Sequence, residues 1–265
     1  MYKVIKPKKQ LGQHYLTDTL VIEQILKAIN PKKEETFLEI GSGKGVLTKK
    51  LLDRTKFIHS VEIDKDLIPE LKKLELLSND VNIHQVNILN IKLENLSQNL
   101  YKYRIVGNLP YNISTQIMLW SIQNLRYIKD LHYMFQKEFG ERLISSPGSK
   151  SYGRLSVLSQ YMFQSLFLFK ILPESFKPRP SVDSIFLRLV PRKEKDVDSR
   201  EAKKLQEVTQ LLFSKRRKKI STSFKNILSQ NEIIDLRIDP DDRPESLAVN
   251  DFVRLANYLL INSNG

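Results

Sequence analysis

The chain has 265 residues, 41% hydrophobic and 28% charged, enough to bury a substantial core. Lysine and arginine number 43 against 30 acidic residues, and the net charge of +13 favours a polyanionic partner, because each cation set on a phosphate releases a condensed counterion. Cysteine is absent, His14, His59, His84 and His132 lack metal-ligand spacing, and no apolar run approaches the ~18 residues of a membrane span, which argues against disulfides, a metal enzyme and a membrane protein.

Residues 1–10 are basic, with Lys3, Lys6, Lys8 and Lys9, but lack the apolar stretch of a signal peptide, so a cytoplasmic location is expected. The spacing of Val21, Ile22, Ile25, Leu26 and Ile29 predicts a helix over 18–29. Strand-like and helix-like segments then alternate. Strands are predicted over 36–40, 57–63, 81–86, 103–107 and 131–135, with helices over 45–53, 67–77, 114–124, 137–145 and 154–163. Two further strands, 166–172 and 184–190, arrive back to back. This order predicts an α/β fold: a mainly parallel sheet with helices on both faces and an antiparallel edge. A charged stretch, 192–201, reads as a linker, and helices over 205–213, 220–228 and 252–261 follow. The chain therefore divides into a domain over 1–192 and a small all-helical one over 193–265.

Three motifs fall at successive strand ends, where open α/β sheets place their ligand crevice. The first is the glycine turn Gly41-Ser42-Gly43-Lys44-Gly45, entered from a strand and opening a helix. Its spacing is neither the dinucleotide fingerprint nor a P-loop, so an adenosine ligand without a pyrophosphate fits better, S-adenosylmethionine being the common one. About 20 residues beyond stands Glu62, a carboxylate able to accept from ribose hydroxyls. The third is Asn108-Leu109-Pro110-Tyr111. Its amide oxygen and a backbone carbonyl can accept both N–H bonds of an exocyclic amine while the ring stacks on the base; an ordinary strand-to-helix turn is the plain alternative. Asn87, beyond the third strand, reads either as a contact to a cofactor adenine or as a turn asparagine. Phe176, in a segment stiffened by Pro173, Pro178 and Pro180, reads either as a cover for the other face of the target base or as a core residue. The run Lys215-Arg216-Arg217-Lys218-Lys219 lies between helical apolar positions and, with Lys8 and Lys9, is expected to meet nucleic-acid phosphates.

Six segments carry a family likeness: 9–16 around Gly12-Gln13-His14, 38–48, 108–111, the pair 135–143 and 151–156, 176–184, and 213–218. Through them the chain resembles, over nearly its full length, the KsgA (RsmA) family of ribosomal RNA adenine dimethyltransferases. The resemblance implies a Rossmann-like methyltransferase domain, a small C-terminal helical domain and S-adenosylmethionine as methyl donor. The implied substrate is two adjacent adenosines in the 3′-terminal hairpin of 16S rRNA, in the small (30S) subunit during its biogenesis, each dimethylated at N6. It implies cofactor contacts at His14, Leu16, Gly41, Gly43, Glu62, Asn87 and Asn108, and a catalytic set of Asn108, Leu109, Pro110, Tyr111 and Phe176. Two positions depart from the family pattern: His14 replaces an asparagine and Asn87 an aspartate. A monomer acting without metal is expected. Three other readings stand beside it: a large-subunit rRNA adenine methyltransferase, a DNA adenine methyltransferase, and an assembly factor whose main role is to bind the immature subunit.

Overall fold

Residues Thr36–Ile40 read Thr-Phe-Leu-Glu-Ile, nearly apolar on both faces, as a strand covered by helices on both sides must be. In the computed structural model, which describes residues 6–96, 102–192 and 200–262, this strand lies inside a seven-stranded sheet, third from one edge. The strands of the chain are β1 (Tyr15–Leu16), β2 (Thr36–Ile40), β3 (Phe57–Glu62), β4 (Val81–Gln85), β5 (Tyr103–Asn108), β6 (Ile128–Gln136), β7 (Phe163–Ile171), β8 (Phe176–Lys177) and β9 (Ser184–Pro191). The helices are α1 (Thr19–Ile29), α2 (Val46–Leu52), α3 (Ile68–Leu77), α4 (Leu93–Leu96), α5 (Ser114–Gln123), α6 (Lys137–Leu143), α7 (Arg154–Met162), α8 (Arg200–Ser214), α9 (Ile220–Ser223), α10 (Gln230–Asp235) and α11 (Val249–Asn262).

The sheet runs β4-β3-β2-β5-β6-β9-β7, parallel from β4 through β6, with β9 antiparallel to β6. Strand order reverses between β2 and β5, so the connections leaving their carboxyl ends part and open a crevice. Gly107 lets those two strands close up beneath it: a Cβ there would stand 2.9 Å from the Ile40 carbonyl oxygen and 2.7 Å from Leu109 Cδ2. At the amino end of β5, Arg104 binds Glu35 at 2.7 Å and Asp130 at 2.8 Å, all three side chains nearly buried.

The chain forms two compact units, Met1–Gly140 with Leu166–Pro191, and Glu141–Ser165 with Arg192–Gly265. The third crossing, between 191 and 192, adjoins the boundary expected after residue 192, although most of the expected linker, 193–199, lies outside the described residues. Residues 141–165 belong with the later helices because α7 packs on α8 and α11. That second unit is built on the apolar stripes of α8 (Leu205, Val208, Leu212) and α11 (Phe252, Leu255), with Phe213 stacked on Phe252 at 5.6 Å.

Several elements differ from the sequence expectation. β6 starts at Ile128, three residues early, and residue 163 opens β7 instead of closing a helix. The single helix expected over 220–228 stops at Ser223. A capping box, Ser229 Oγ accepting from Glu232 N–H and Glu232 accepting from Ser229 N–H at 2.7 Å, requires an extended Ser229 and starts α10 instead. The two-residue strands β1 and β8 pair antiparallel with each other, a long-range match that local periodicity does not signal.

Candidate active site

A cleft of about 160 Å³ opens at the carboxyl ends of β2 to β5, all within the first unit. It collects His14, Gly41, Gly43, Glu62, Asn87, Asn108, Leu109, Pro110 and Tyr111, nine of the residues singled out from sequence. Ile63, Val86 and Ile88 add apolar wall of the kind a base needs.

The acidic strand end is built by backbone donors. Glu62 Oε1 accepts from Ile63 and Asp64 N–H, and Oε2 from Gly43 N–H, each at 2.8 Å. Three of its four acceptor positions are thus filled, leaving one on Oε2. Burial raises the Glu62 pKa above the usual carboxylate range, and these three donors oppose the shift. Gly43 reaches Glu62 only because its φ is +58°, with the Tyr15 ring so close that a Cβ would meet it at 3.2 Å. Asn87 caps the 3₁₀ turn Ile88–Asn90, its Oδ1 accepting from Leu89 N–H at 3.0 Å, which bears out the turn reading; it also lines the cleft.

At the end of β5, Asn108 Nδ2 donates to the His14 carbonyl at 2.7 Å. A carbonyl facing a carbonyl would repel, so this contact fixes which way round the amide sits. The His14 ring stacks on Tyr111 at 5.4 Å and 28°, and its Nδ1 donates to the Pro178 carbonyl at 2.7 Å. Tyr111 in turn shares a 2.8 Å hydrogen bond with Ser184 Oγ.

The segment before β1 is tied across the cleft by residues that sequence reasoning missed. Gln13 Nε2 donates to Asp64 at 2.8 Å, while Gln13 Oε1 accepts from Lys8 N–H at 2.7 Å and from the Tyr15 hydroxyl at 2.8 Å. The Lys8 ammonium bonds Asp64 and lies 2.7 Å from Asp66, so this expected phosphate contact is engaged with internal carboxylates. The only sequence signal was Asp64 and Asp66 following Glu62. Of the other amino-terminal lysines, Lys3 and the side chain of Lys9 lie outside the described residues.

Two expected residues stand elsewhere. Leu16 lines a smaller cavity of about 60 Å³ beside Gly41, Gly43 and Asn108. The buried Glu39 also lines it, with Thr48 Oγ1 donating to its carboxyl; burial pushes the Glu39 pKa up to about 8, and Glu62 adds to the rise. Phe176 is the second. It is 1% exposed, lines neither cavity and belongs to the core with Ile22, Ile25 and Phe186, because its pairing with Leu16 turns it inward. The expected second ring on the target base is therefore not presented by Phe176 here. The cationic run occupies the turn after α8 in the second unit, not a helix face. Arg216 binds Glu245 at 2.6 Å and the Lys150 carbonyl at 2.9 Å, and Lys219 pairs with Asp241 at 2.9 Å. Lys215, Arg217 and Lys218 are exposed, with no ion pair recorded among the described residues.

No group of three or more His, Asp or Glu able to hold a metal occurs among the described residues, and no described helix is long and apolar enough to cross a membrane. The cleft lies at the switch point of a mainly parallel sheet, where open α/β folds bind their ligands, and the protein is a Rossmann-like, S-adenosylmethionine-dependent methyltransferase by its relatives as well as its fold. Comparison with known proteins narrows the class. The sequence model of the family described as ribosomal RNA adenine dimethylase matches residues 4–260, and the chain belongs to that family. It is 40% identical to the ribosomal RNA small subunit methyltransferase A of Dechloromonas aromatica, over 95% of this chain and 97% of that protein. The protein of the same name from Buchnera aphidicola is 40% identical over 99% of this chain and 96% of its own. Among solved structures, a dimethyladenosine transferase from Plasmodium falciparum superposes with a TM-score of 0.78 at 25% identity, covering 95% of this chain and 98% of that one.

Proposed function

We propose that this enzyme dimethylates N6 of two adjacent adenosines in the 3′-terminal hairpin of 16S rRNA, in the small subunit during its biogenesis, as a cytoplasmic monomer. Family membership supports rRNA adenine as the target, and the names of the relatives support the small subunit. The observation that carries the chemistry is the 2.7 Å bond from Asn108 Nδ2 to the His14 carbonyl, which leaves Asn108 Oδ1 as the group to receive a donor.

The residues present fit the donor molecule: Glu62 has one acceptor position for a ribose hydroxyl, Gly41 and Gly43 expose bare backbone, and Ile63, Ile88 and Asn87 line the same cleft. When bound, S-adenosylmethionine supplies an electrophilic methyl group on a sulfonium. The protein's part is to prepare the nucleophile. Adenine N6 is a poor one, because its lone pair is delocalised into the ring. Asn108 Oδ1 and the Leu109 carbonyl accept its two N–H bonds, favour a pyramidal nitrogen and aim the lone pair out of the ring plane. Positioning of this kind supplies much of the rate of a two-reactant step. The same oxygens stabilise the positive charge that passes to nitrogen, so the transfer itself needs no general base; the neutral thioether is the leaving group, and the methylated N6 then gives up one proton to water. Tyr111 stacks on the extruded base, which must leave its helix to enter. In the second unit, Lys215, Arg217 and Lys218 contact phosphates.

The test is tritium transfer from S-adenosylmethionine to unmodified small subunits, with the labelled nucleoside identified by mass. N6,N6-dimethyladenosine in 16S rRNA is expected. Label confined to large-subunit RNA, or to DNA, overturns the proposal.

A further inference from the structure

Tyr111 sits on a single 3₁₀ turn, Tyr111–Ile113, directly after Pro110. That turn alone leaves both of its side-chain torsions open, yet a stacking platform must fix them. Two contacts do so, and they act on different torsions. The phenolic oxygen lies on the axis about which the ring flips. A bond to it therefore fixes where the axis points but not how the ring is turned. Ser184 Oγ makes that bond at 2.8 Å. Stacking on a neighbouring ring does the converse, setting the plane, and the His14 ring supplies it at 5.4 Å and 28°. His14 is itself held by its 2.7 Å bond to the Pro178 carbonyl.

Ser184 is suited to this task and outside the cleft lining. It is the first residue of β9, paired with Gln136 in the sheet and 0% exposed, so its hydroxyl is carried by a buried, hydrogen-bonded strand. We propose that Ser184 is a positioning residue for methyl transfer: it fixes the Tyr111 axis so that the ring, backed by His14 on one face, presents its other face to the target base. This rests on the proposed reading of the cleft.

A distinctive consequence follows from counting hydrogen bonds. Before the first transfer, N6 offers two N–H bonds to two acceptors; afterwards one remains. The second transfer depends more on stacking to orient the base, and so on Ser184.

The experiment compares Ser184→Ala, Tyr111→Phe and the double variant on unmodified small subunits, measuring kcat, the ratio of N6-methyladenosine to N6,N6-dimethyladenosine, and cofactor affinity by calorimetry. Either single change removes the same bond from opposite ends, so Tyr111→Phe decides the matter should Ser184→Ala fail to fold. Each is expected to lower kcat roughly tenfold, shift product toward the monomethyl form and leave cofactor affinity unchanged. The double variant is expected to be no worse than either single one. Unchanged kcat and product ratio in Tyr111→Phe, additive losses in the double variant, or lost cofactor affinity overturns the role given to Ser184. Absence of methylated adenosine with the unsubstituted protein overturns instead the reading of the cleft.

Discussion

The carboxamide of Asn108 is pinned by the main-chain carbonyl of His14, a residue 94 positions earlier in the chain. The amide proposed to hold the target amine is thus oriented by a segment outside the sheet, which leaves its oxygen as the acceptor.

Asn108→Ala is expected to lower methyl transfer by at least about 100-fold, the scale of losing one preorganised polar group, with RNA binding nearly unchanged. Asn108→Asp is the sharper variant. It keeps an acceptor oxygen but sets a carboxylate against the His14 carbonyl, and it is expected to be just as inactive. Single-turnover rates with filter binding on the same samples check both; loss of RNA binding in step with activity contradicts the role.

Asn87 keeps one acceptor oxygen, already capping Leu89 N–H, where an ionised side chain would offer charge-assisted bonds. Asn87→Asp is expected to tighten S-adenosylmethionine binding by roughly fivefold, about 1 kcal/mol. Calorimetry on the apoprotein measures it, and weaker binding in the variant would remove Asn87 from the cofactor set.

Much of this site was legible in the sequence, and what escaped has a common cause. The glycine turn, Glu62 and Asn108–Tyr111 were readable because each is a short motif at a predicted strand end, so local pattern placed it in the crevice. Gln13, Ser184 and the β1–β8 pairing were not, since each acts through a partner 51 to 162 residues away, as with Gln13 and Asp64 or Tyr15 and Lys177. Phe176 shows the opposite failure. Its motif was readable, but only the pairing of Leu16 with Phe176 reveals that the ring turns into the core.

The cations of the second unit divide by partner. Replacing Lys215, Arg217 and Lys218 together with alanine is expected to weaken small-subunit RNA binding and to flatten log K against log salt by roughly 2–3. Arg216→Ala is expected to act on stability instead, since Arg216 joins Glu245 to the Lys150 loop, lowering Tm by roughly 2–5 °C. An unchanged salt slope in the triple variant reassigns the run to plain solvation.

Two buried groups bound the pH range of stability from opposite sides. Burial depresses the His132 pKa from 6.5 to about 4, so between those values the unfolded chain binds more protons and stability falls as pH drops. Glu39 is the reverse. Its pKa rises from 4.5 to about 8, the native state holds the extra proton between those values, and stability falls as pH climbs from 4.5 to 8 and levels off above. At ~1.4 kcal/mol per unit, the ceilings are about 3–4 and about 5 kcal/mol. Calorimetric Tm profiles are expected to flatten on the acid limb in His132→Leu, with a remainder from His59, also lowered to about 4, and on the alkaline limb in Glu39→Gln. Parallel profiles in either variant would contradict the assignment.

The pairing of Tyr15–Leu16 with Phe176–Lys177 also bears on synthesis. Residues near the start of the chain leave the ribosome early, yet their strand partner follows only after some 160 more have been added. Until then β1 has nothing to pair with, and the carbonyl that orients the Asn108 amide has no fixed place. A nascent chain stalled before residue 176 would therefore hold the glycine turn, Glu62 and Asn108 but not the strand pairing that anchors the segment carrying the His14 carbonyl.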